Sequence, residues 1–470
     1  MSVPPPPRAP GPGQDLTQGP IAATLLWFSL PIVLQMSIQP LYGAIDNIFI
    51  GHISKQAMAG VTLAGSLVFL TIALSAALGS GSTSYIARLS GAGQRAEADN
   101  AAHHSLILML VATGLLILVL VPQAELFFRL LGADPVILPL ALSYALPLLY
   151  GSIFILFNMM GAAILRAEGN SRTPLTIAVV TVLGNLVLAP PLIFARGQEV
   201  IWGLKLGYFG LGVFGAALAT LIARVMGCLM LLVYVAQGNS VWTLSWKNFH
   251  WRPRHFLEIL RVGAPQMVVG LTGAAVILTF MRLLTRFGVE AVAVYGVGAQ
   301  LDSLAILPMF GLMIGMIGMV GQNLGAGRLD RVKRAVWVAS LITAGFTGVM
   351  GAVFILVPHF WIGLFNRDPQ ILQLGESYLR IVSFTYIPVG VAFVIGGAFQ
   401  GLGKGMPWLW ITIIRFLGVS IPLALILSPS LGATGAWVAI ASAHVVAGIL
   451  SVLWILREFR HPRYDLSQSA

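Results

Sequence analysis

The residue with the most chemical potential in the sequence is Asp46, a carboxylate inside a long apolar run. Gln35, Gln39, Tyr42 and Asp46 are separated by four, three and four residues, so a helix places all four on one face. A charged side chain within an apolar membrane helix costs about 2.5–3.5 kcal/mol and is therefore expected to have a function. A carboxyl group there can bind and release a proton or a cation, and Gln35, Gln39 and Tyr42 on the same face are predicted to line a substrate cavity. The alternative is that Asp46 lies at the outer end of the helix and is hydrated.

Asp302 is the other acid well inside an apolar run. It has two possible roles that the sequence does not separate. As part of a substrate cavity it would attract a cationic compound or carry a second proton. As a structural group it would pair with a buried cation. The arginines in range for such a pair are Arg282, Arg380 and Arg415.

Two further features suit a mobile, adaptable binding site. Asn158 is followed by Met159 and Met160, and methionine is flexible and polarizable, so this segment is predicted to line a substrate cavity, with ordinary packing or lipid contact as the alternative for the methionines. Pro31 and Pro40 lie in the same apolar run as Asp46. Each removes a backbone hydrogen bond and favours a kink, so both are hinge candidates, although either can be a static kink.

The composition requires that most of the surface face lipid. Of 470 residues, 57% are hydrophobic and only 9% are charged, against about 25% in soluble domains. This excludes a soluble enzyme, a nucleic-acid-binding protein and a disordered scaffold. The one cysteine, Cys228, excludes a disulfide framework and a cysteine-based metal site. The sequence has no phosphate-binding loop or catalytic motif, so neither catalytic residues, nor a metal, nor a cofactor are expected.

Twelve apolar runs are long enough to cross a membrane, since a ~30 Å hydrocarbon core requires roughly 20 residues. Period-2 alternation is absent, so the runs are predicted to be helices, which satisfy their own backbone groups in lipid. The sequence thus predicts an all-α polytopic membrane protein. The predicted spans 1–12 cover residues 24–50, 58–82, 101–121, 137–162, 174–195, 211–236, 256–284, 291–320, 335–357, 371–400, 408–428 and 433–456.

Lysine and arginine indicate the orientation. Of 27 such residues, sixteen lie in the two termini and the loops after even-numbered spans, and six lie in the loops after odd-numbered spans. Because positive charge is retained in the cytoplasm, both termini are predicted to be cytoplasmic, in the inner membrane of a bacterial cell. The net charge of +11 is therefore a topology signal rather than a nucleic-acid footprint. Residues 1–20 are proline-rich and are predicted to be a disordered tail.

The two halves of the sequence repeat at a constant offset of 234 residues. Leu30-Pro31 matches Ala264-Pro265, and Tyr144 matches Tyr378. Further matches pair Gly91–Gly93 with Gly325–Gly327, Asp134-Pro135 with Asp368-Pro369, and Gly169 with Gly403. Six spans per half make the repeats parallel, an arrangement found in secondary transporters. The predicted domains are the tail 1–20, an N-lobe 21–236, a cytoplasmic linker 237–255, a C-lobe 256–457 and a tail 458–470.

The ordered set of motifs resembles the multidrug and toxic compound extrusion (MATE) transporters over residues 20–457. The segments that carry the resemblance are Leu30-Pro31, Asp46–Gly51, Gly91–Gly93, Leu165–Pro174, Gly325–Gly327 and Gln400–Lys404. The resemblance implies two lobes around a V-shaped cavity. It also implies an antiporter that expels organic compounds in exchange for H⁺ or Na⁺.

The resemblance also implies a cation site around Asp46. Asn185 and Thr220 match other members of that network in the family branch with an N-lobe site. That branch commonly has a second acid four residues after the asparagine, where this chain has Ala189. One carboxylate with neutral oxygens suits a proton better than Na⁺. The acids of the C-lobe branch are missing from span 7, and span 10 offers only Glu376.

The leading hypothesis is a monomeric, alternating-access exporter of amphipathic, cationic compounds such as drugs, dyes or metabolites, coupled through protonation of Asp46. Its partners would be these small molecules and the lipid bilayer. A flippase for a lipid-linked precursor is the alternative, because Arg224, Arg282, Arg380 and Arg415 could bind pyrophosphate. A polytopic membrane enzyme is less favoured, since the longest outer loop, near 196–210, is short.

Overall fold

The computed structural model describes residues 13–198 and 206–460, and these ranges are largely helical. Ala195 forms isolated bridges with Tyr208 and Phe209, and the described residues contain no sheet. The helices are α1 (Ile21–Gly51), α2 (Lys55–Gly91), α3 (Arg95–Leu130), α4 (Ile137–Tyr150), α5 (Ser152–Ala167), α6 (Arg172–Ile193), α7 (Gly212–Ala236), α8 (Pro253–Leu284), α9 (Val289–Gly325), α10 (Leu329–Leu356), α11 (Pro358–Gly363), α12 (Pro369–Val382), α13 (Tyr386–Gly401), α14 (Met406–Ile413), α15 (Ile421–Leu431) and α16 (Ala433–Arg460).

The predicted all-α membrane fold is confirmed. Eleven helical stretches of the described chain are long and apolar enough to cross a membrane, and α4 with α5 makes a twelfth if this bent pair is one span. The stretches match the twelve predicted spans in order. Polar backbone groups have no partners in lipid, which is why an apolar chain of this composition is built from helices.

Three of the predicted spans are not straight helices. Span 4 bends by 50° at Gly151, between α4 and α5. Pro147 lies one turn earlier and cannot donate a backbone hydrogen bond, so the helix is weakened at this point. In span 10 a 3₁₀ turn at Ser383–Thr385 separates α12 from α13. In span 11 the segment Ile414–Ser420 is π-helical and is followed by a proline at the start of α15.

The described chain forms two compact units whose boundaries fall inside helices. The first unit contains residues 13–15, Leu34–Ile86 and Gln94–Ile259, and the second contains Leu16–Val33, Ala87–Gly93 and residues 260–460. The predicted N-lobe and C-lobe differ from these units in where α1 and α2 are assigned. Helix α1 therefore begins in the second unit and ends in the first.

Close backbone contacts explain why the first half of α1 belongs to the second unit. Gly311 and Gly315 of α9 leave room for Val33 and Ser29 of α1, because a Cβ on either glycine would come within 2.4 Å of the Val33 side chain or 2.1 Å of the Ser29 hydroxyl. Small residues allow membrane helices to approach this closely. The adjoining Leu16 is buried as well, although it falls within the predicted tail 1–20. Residues 1–12 of that tail and residues 461–470 lie outside the described ranges.

The glycine pair Gly91 and Gly325, which are equivalent in the repeat, forms a reciprocal contact in the second unit. A Cβ on Gly91 would lie 2.0 Å from the Gln322 carbonyl oxygen, and a Cβ on Gly325 would lie 1.9 Å from the Arg88 carbonyl oxygen. Arg88 and Gln322 are themselves 234 residues apart. The two contacts are therefore the same contact made twice, and they explain why both halves of the sequence keep glycine here.

The segment between α7 and α8 is held along the start of α3 in the first unit. The Thr243 backbone N–H donates to Asp99 Oδ1 at 2.7 Å. The Asn100 side-chain amide donates to the His250 carbonyl oxygen at 3.0 Å, and the Arg252 N–H donates to His104 Nε2 at 3.0 Å. The ring of Trp246 packs 4.6 Å from that of His103, centroid to centroid. This part of the predicted linker 237–255 is therefore an ordered strap rather than a free connection.

Glu168, between α5 and α6, holds the beginning of the same strap. Its Oε1 accepts a hydrogen bond from the Ser240 hydroxyl at 2.6 Å and from the Trp242 N–H at 3.5 Å. Burial raises the pKa of Glu168 from about 4.5 to about 7, while the hydrogen bond from Ser240 acts in the opposite direction and the charge of Asp99 adds to the increase. Folding therefore opposes ionisation of this carboxyl group.

We expect stability to fall as pH rises from about 4.5 to about 7, because unfolded Glu168 ionises freely in this window and folded Glu168 does not. A shift of this size corresponds to up to about 3 kcal/mol. The variant Glu168→Gln should lack this part of the pH dependence. Its melting temperature in detergent should therefore increase relative to that of the wild type as the pH is raised from about 4.5 to about 8. The exposed Glu125, paired with Arg129, provides the control, and Glu125→Gln should follow the wild type. A constant difference between Glu168→Gln and wild type across this range would contradict the assignment.

Candidate functional site

Asp46 is fully enclosed in the first unit, with none of its surface exposed. Its Oδ2 accepts a hydrogen bond from the Tyr144 hydroxyl of α4 at 2.5 Å and from the Thr220 hydroxyl of α7 at 3.1 Å. The alternative that Asp46 is simply hydrated at a helix end does not match this environment. Three helices thus meet at one carboxyl group.

Asn185 of α6 completes the network. Its side-chain amide donates to Thr220 Oγ1 at 2.9 Å, so it orients the hydroxyl that Thr220 presents to Asp46. Two buried oxygens, Asp46 Oδ1 and Asn185 Oδ1, have no hydrogen-bond partner among the described residues. A proton on the carboxyl group would convert one unsatisfied acceptor into a donor. The structure therefore brings Asp46, Asn185 and Thr220 together in one hydrogen-bonded network.

Small side chains allow α6 and α7 to close around this network. A Cβ on Gly215 would lie 2.4 Å from the Leu192 carbonyl oxygen, so α7 can rest directly on the backbone of α6. Ala216 and Ala219 of α7 are fully buried, and so is Ala189 of α6. Since Ala189 packs in this apolar core, the position where relatives of the N-lobe branch place a second acid carries no charge here.

The remaining members of the polar face of α1 form a ladder with two arginines. Gln35 Oε1 accepts from Arg166 Nη1 at 3.1 Å, and Gln39 Oε1 accepts from Arg224 Nη2 at 3.3 Å. The Arg224 guanidinium also lies 3.9 Å from the centroid of the Tyr42 ring, a cation–π contact. Arg224 thus ties α7 to α1.

Tyr42 and Asn158 join the same ladder from other directions. The Tyr42 hydroxyl donates to Thr181 Oγ1 of α6 at 2.6 Å. The Asn158 amide of α5 donates to the Arg224 carbonyl oxygen at 2.7 Å. Both side chains therefore fix helices α1, α5, α6 and α7 relative to one another.

An open cavity lies beside this ladder, and all of its lining residues belong to the first unit. Three of the residues predicted to face a substrate, Gln35, Gln39 and Asn158, line it, and Tyr42 stands behind it against Arg224. Its other lining residues are Met159, Ala162, Leu165, Pro174, Ile177, Ala178, Thr181, Arg224 and Leu231.

Asp302 belongs to the second unit and does not line this cavity. Its two carboxylate oxygens accept hydrogen bonds from the Tyr378 hydroxyl at 2.6 Å and the Tyr386 hydroxyl at 2.5 Å. Among the described residues it has no ion pair, so its partners are tyrosines rather than any of the three arginines considered. Arg282 and Arg380 are exposed, and Arg415 lies over the Phe416 ring.

Sequence reasoning overlooked three residues of this site. Tyr144 makes the shortest contact to Asp46, and the signal for it was its match to Tyr378 in the repeat. Arg166 lies within a family motif, but no sequence pattern indicates that it is buried against Gln35. Thr181, the partner of Tyr42, lies on α6 four residues before Asn185, so the helix places both side chains on the same face.

The family model described as MatE matches the chain twice, over residues 31–190 and 265–426. The two matches begin 234 residues apart, the offset of the internal repeat, and together they cover more than half of the chain. This chain belongs to the MatE family. It is a multi-pass membrane transporter and not an enzyme.

Curated relatives align over nearly the whole MATE chain. “Probable multidrug resistance protein NorM” of Thermotoga maritima is 28% identical over 93% of this chain and 92% of its own length. The “FAD transporter” of Shewanella oneidensis is 24% identical, with 92% and 94% covered. The “Multidrug export protein MepA” of Staphylococcus aureus is 25% identical, with 94% and 95% covered.

Solved structures of MATE transporters share the fold. A crystal structure of MATE in the bent conformation superimposes with a TM-score of 0.88 at 28% identity and covers 97% of this chain and 98% of its own. A structure of MATE in the straight conformation gives 0.86 at 28% identity, with 96% and 98% covered.

Removal of the Tyr144 hydroxyl tests its contact with Asp46. We expect Tyr144→Phe to lower stability in detergent by about 1.5–3 kcal/mol, because a hydrogen bond to a charged group contributes that much. The loss should be smaller in an Asp46→Asn background, which a double-mutant cycle of melting curves would measure. Tyr150→Phe, at the exposed end of the same helix, is the matched control and should behave as wild type. Equal losses from Tyr144→Phe in both backgrounds would show that the hydroxyl does not act through Asp46.

Proposed function

We propose that this protein is a secondary active exporter that expels amphipathic organic compounds from the cell in exchange for inward H⁺, with Asp46 as the proton-coupling residue. Two of its relatives are named as multidrug resistance or multidrug export proteins, which supports drug efflux. Another is named as an FAD transporter, so relatives at this level of identity also include a carrier of a phosphate-bearing compound.

The observation that carries the proposal is the enclosure of Asp46 by neutral groups. The carboxyl group receives hydroxyls from Tyr144 and Thr220 and has no ion-pair partner among the described residues. Burying an unpaired carboxylate is costly, and that cost is removed when the group is protonated. A group held between these two states is suited to gain a proton in one conformation and lose it in another.

Proton coupling is favoured over sodium coupling by the donor set. Hard cations such as Ca²⁺ take shells of about six oxygen ligands, whereas a proton needs only one carboxylate oxygen. The oxygens near Asp46 come from Asn185, Thr220 and Tyr144, all neutral, and the Thr220 and Tyr144 hydroxyls already donate to Asp46. Ala189 supplies no second carboxylate. In this proposal Asn185 orients the Thr220 hydroxyl, and that hydroxyl holds Oδ2 of Asp46 in place.

Helix α1 is proposed to transmit the protonation of Asp46 to the rest of the chain. Its first half, through Val33, belongs to the second unit, and its second half, with Asp46, belongs to the first. Pro31 and Pro40 flank that boundary and weaken the helix there, so they act as the hinge. Protonation changes the hydrogen bonds that fix the Asp46 end. The equilibrium between the two alternating-access states then shifts toward the state that binds the proton more tightly, and the difference in proton affinity sets the size of the shift.

The placement in the cell follows from the charge distribution. With most loop lysines and arginines on the side of the termini, both termini are proposed to be cytoplasmic, with the N-lobe 21–236 and C-lobe 256–457 spanning the plasma membrane. The protein is proposed to act as a monomer, since each unit has its own apolar core.

The test is transport in proteoliposomes with imposed gradients. Wild-type protein should move substrate when a pH gradient is imposed and should lose this activity when a protonophore is added. Asp46→Asn should reduce gradient-driven transport to the level of empty liposomes while still inserting and binding substrate. Asp134→Asn is the control, because Asp134 is exposed, caps the start of α4, and asparagine also caps.

Two results would overturn this proposal. One is full proton-driven transport by Asp46→Asn at wild-type abundance. The other is wild-type transport that requires a sodium gradient and is unaffected by the protonophore.

A further inference from the structure

The cavity of the first unit is lined and backed by two arginines that make no ion pair among the described residues. Arg224 lines it, and Arg166 lies directly behind Gln35. Both arginines are deeply buried, with 9% and 8% of their surface exposed. Neither has an ion-pair partner among residues 13–198 and 206–460, and the Nε of each lacks an acceptor there. Buried guanidinium groups without a counter-ion are costly, so a ligand that supplies negative charge would be stabilised here.

The two glutamines of α1 add donors rather than acceptors. Gln35 and Gln39 each use their carbonyl oxygen to accept a hydrogen bond from an arginine. The N–H₂ group of each glutamine side chain makes no hydrogen bond within the described chain. Each arginine therefore occupies the glutamine carbonyl oxygen and leaves the glutamine N–H₂ group available to a ligand. Several N–H donors close together are the environment that binds an oxyanion.

No described carboxylate faces the cavity to attract a cation. Asp46 is enclosed, with its Oδ2 occupied by the hydroxyls of Tyr144 and Thr220, and it is not among the lining residues. The other walls are apolar, from Met159, Ile177 and Leu231 among others. These walls suit an aromatic or aliphatic body beside a charged group. The cationic substrates expected from the sequence would meet Arg224 at close range instead.

We infer that this cavity selects substrates that carry an oxyanion, a carboxylate or phosphate group attached to an apolar body, and that Arg224, oriented with Gln39, binds that group. The inference rests on the proposed export function and defines the substrate class of the same transporter. The oxyanion can come from a soluble organic acid or from a lipid phosphate, since both present the same chemistry.

Equilibrium binding separates this inference from the coupling proposal, because it requires no ion gradient. The purified protein in phosphatidylcholine nanodiscs would be titrated with two xanthene dyes of similar shape, anionic carboxyfluorescein and cationic rhodamine 6G, and binding followed by fluorescence anisotropy. Wild type should bind carboxyfluorescein more tightly. Arg224→Gln should weaken carboxyfluorescein about tenfold or more, the scale of a charge-assisted hydrogen bond, without weakening rhodamine 6G.

Two variants provide the controls. Arg415→Gln removes a half-buried arginine of the second unit and should leave both dissociation constants unchanged. Arg224→Lys keeps the charge but loses the planar fork, so it should retain part of the preference for the anion. If Arg224→Gln does not fold, as judged by its melting curve, the ratio of the two wild-type dissociation constants still decides.

Competition identifies the source of the oxyanion. Benzoate represents a soluble acid and dihexanoyl phosphatidic acid a lipid phosphate. Displacement of carboxyfluorescein by either one supports the inference, and the stronger competitor names the source. Tighter wild-type binding of rhodamine 6G, or an unchanged carboxyfluorescein affinity in folded Arg224→Gln, would overturn it. Neither of those results would affect the proton-coupling role of Asp46.

Discussion

The arrangement of the first unit depends on one constraint, that a carboxyl group enclosed in a membrane-embedded helix bundle must be satisfied by the bundle itself. Water is not available to solvate Asp46, so hydroxyls from α4 and α7 approach it, and α6 supplies the amide that orients one of them. Such an approach is possible only because α6 and α7 meet through glycine and alanine. The polar network and the close packing of these helices are therefore parts of one solution.

The internal repeat shows how this solution has been varied in the second unit. Tyr144 and Tyr378 are equivalent, and each donates its hydroxyl to an aspartate of its own unit. The aspartates are not equivalent, because the position that matches Asp46 is Phe280, and Asp302 comes from α9 instead of α8. The donor has thus been kept in both halves while the acceptor lies on a different helix.

The sequence was sufficient for features that depend on local pattern and insufficient for those that depend on tertiary contact. Hydropathy placed the twelve spans, and the four-three-four spacing placed Gln35, Gln39, Tyr42 and Asp46 on one face, because both are properties of a single helix. The boundary inside α1, by contrast, arises from contacts with α9. The same is true of the hydroxyl partners of Asp302, because the sequence suggested only arginines as structural partners for this acid and left a substrate role open beside them. The positive character of the cavity also became visible only when Arg166 and Arg224 were found buried without acids.

The central claim of this account is that Asp46 binds the coupled proton and that substrate favours the alternating-access state in which this proton is bound less tightly, and proton release on substrate binding tests it most directly. Purified protein in weakly buffered detergent would be mixed with an exported substrate, and the pH followed with an indicator dye. We expect wild-type protein to release protons in proportion to the substrate bound, and Asp46→Asn to bind the substrate with no release. Equal proton release by the two proteins, or substrate binding by the wild type without any release, would contradict the account.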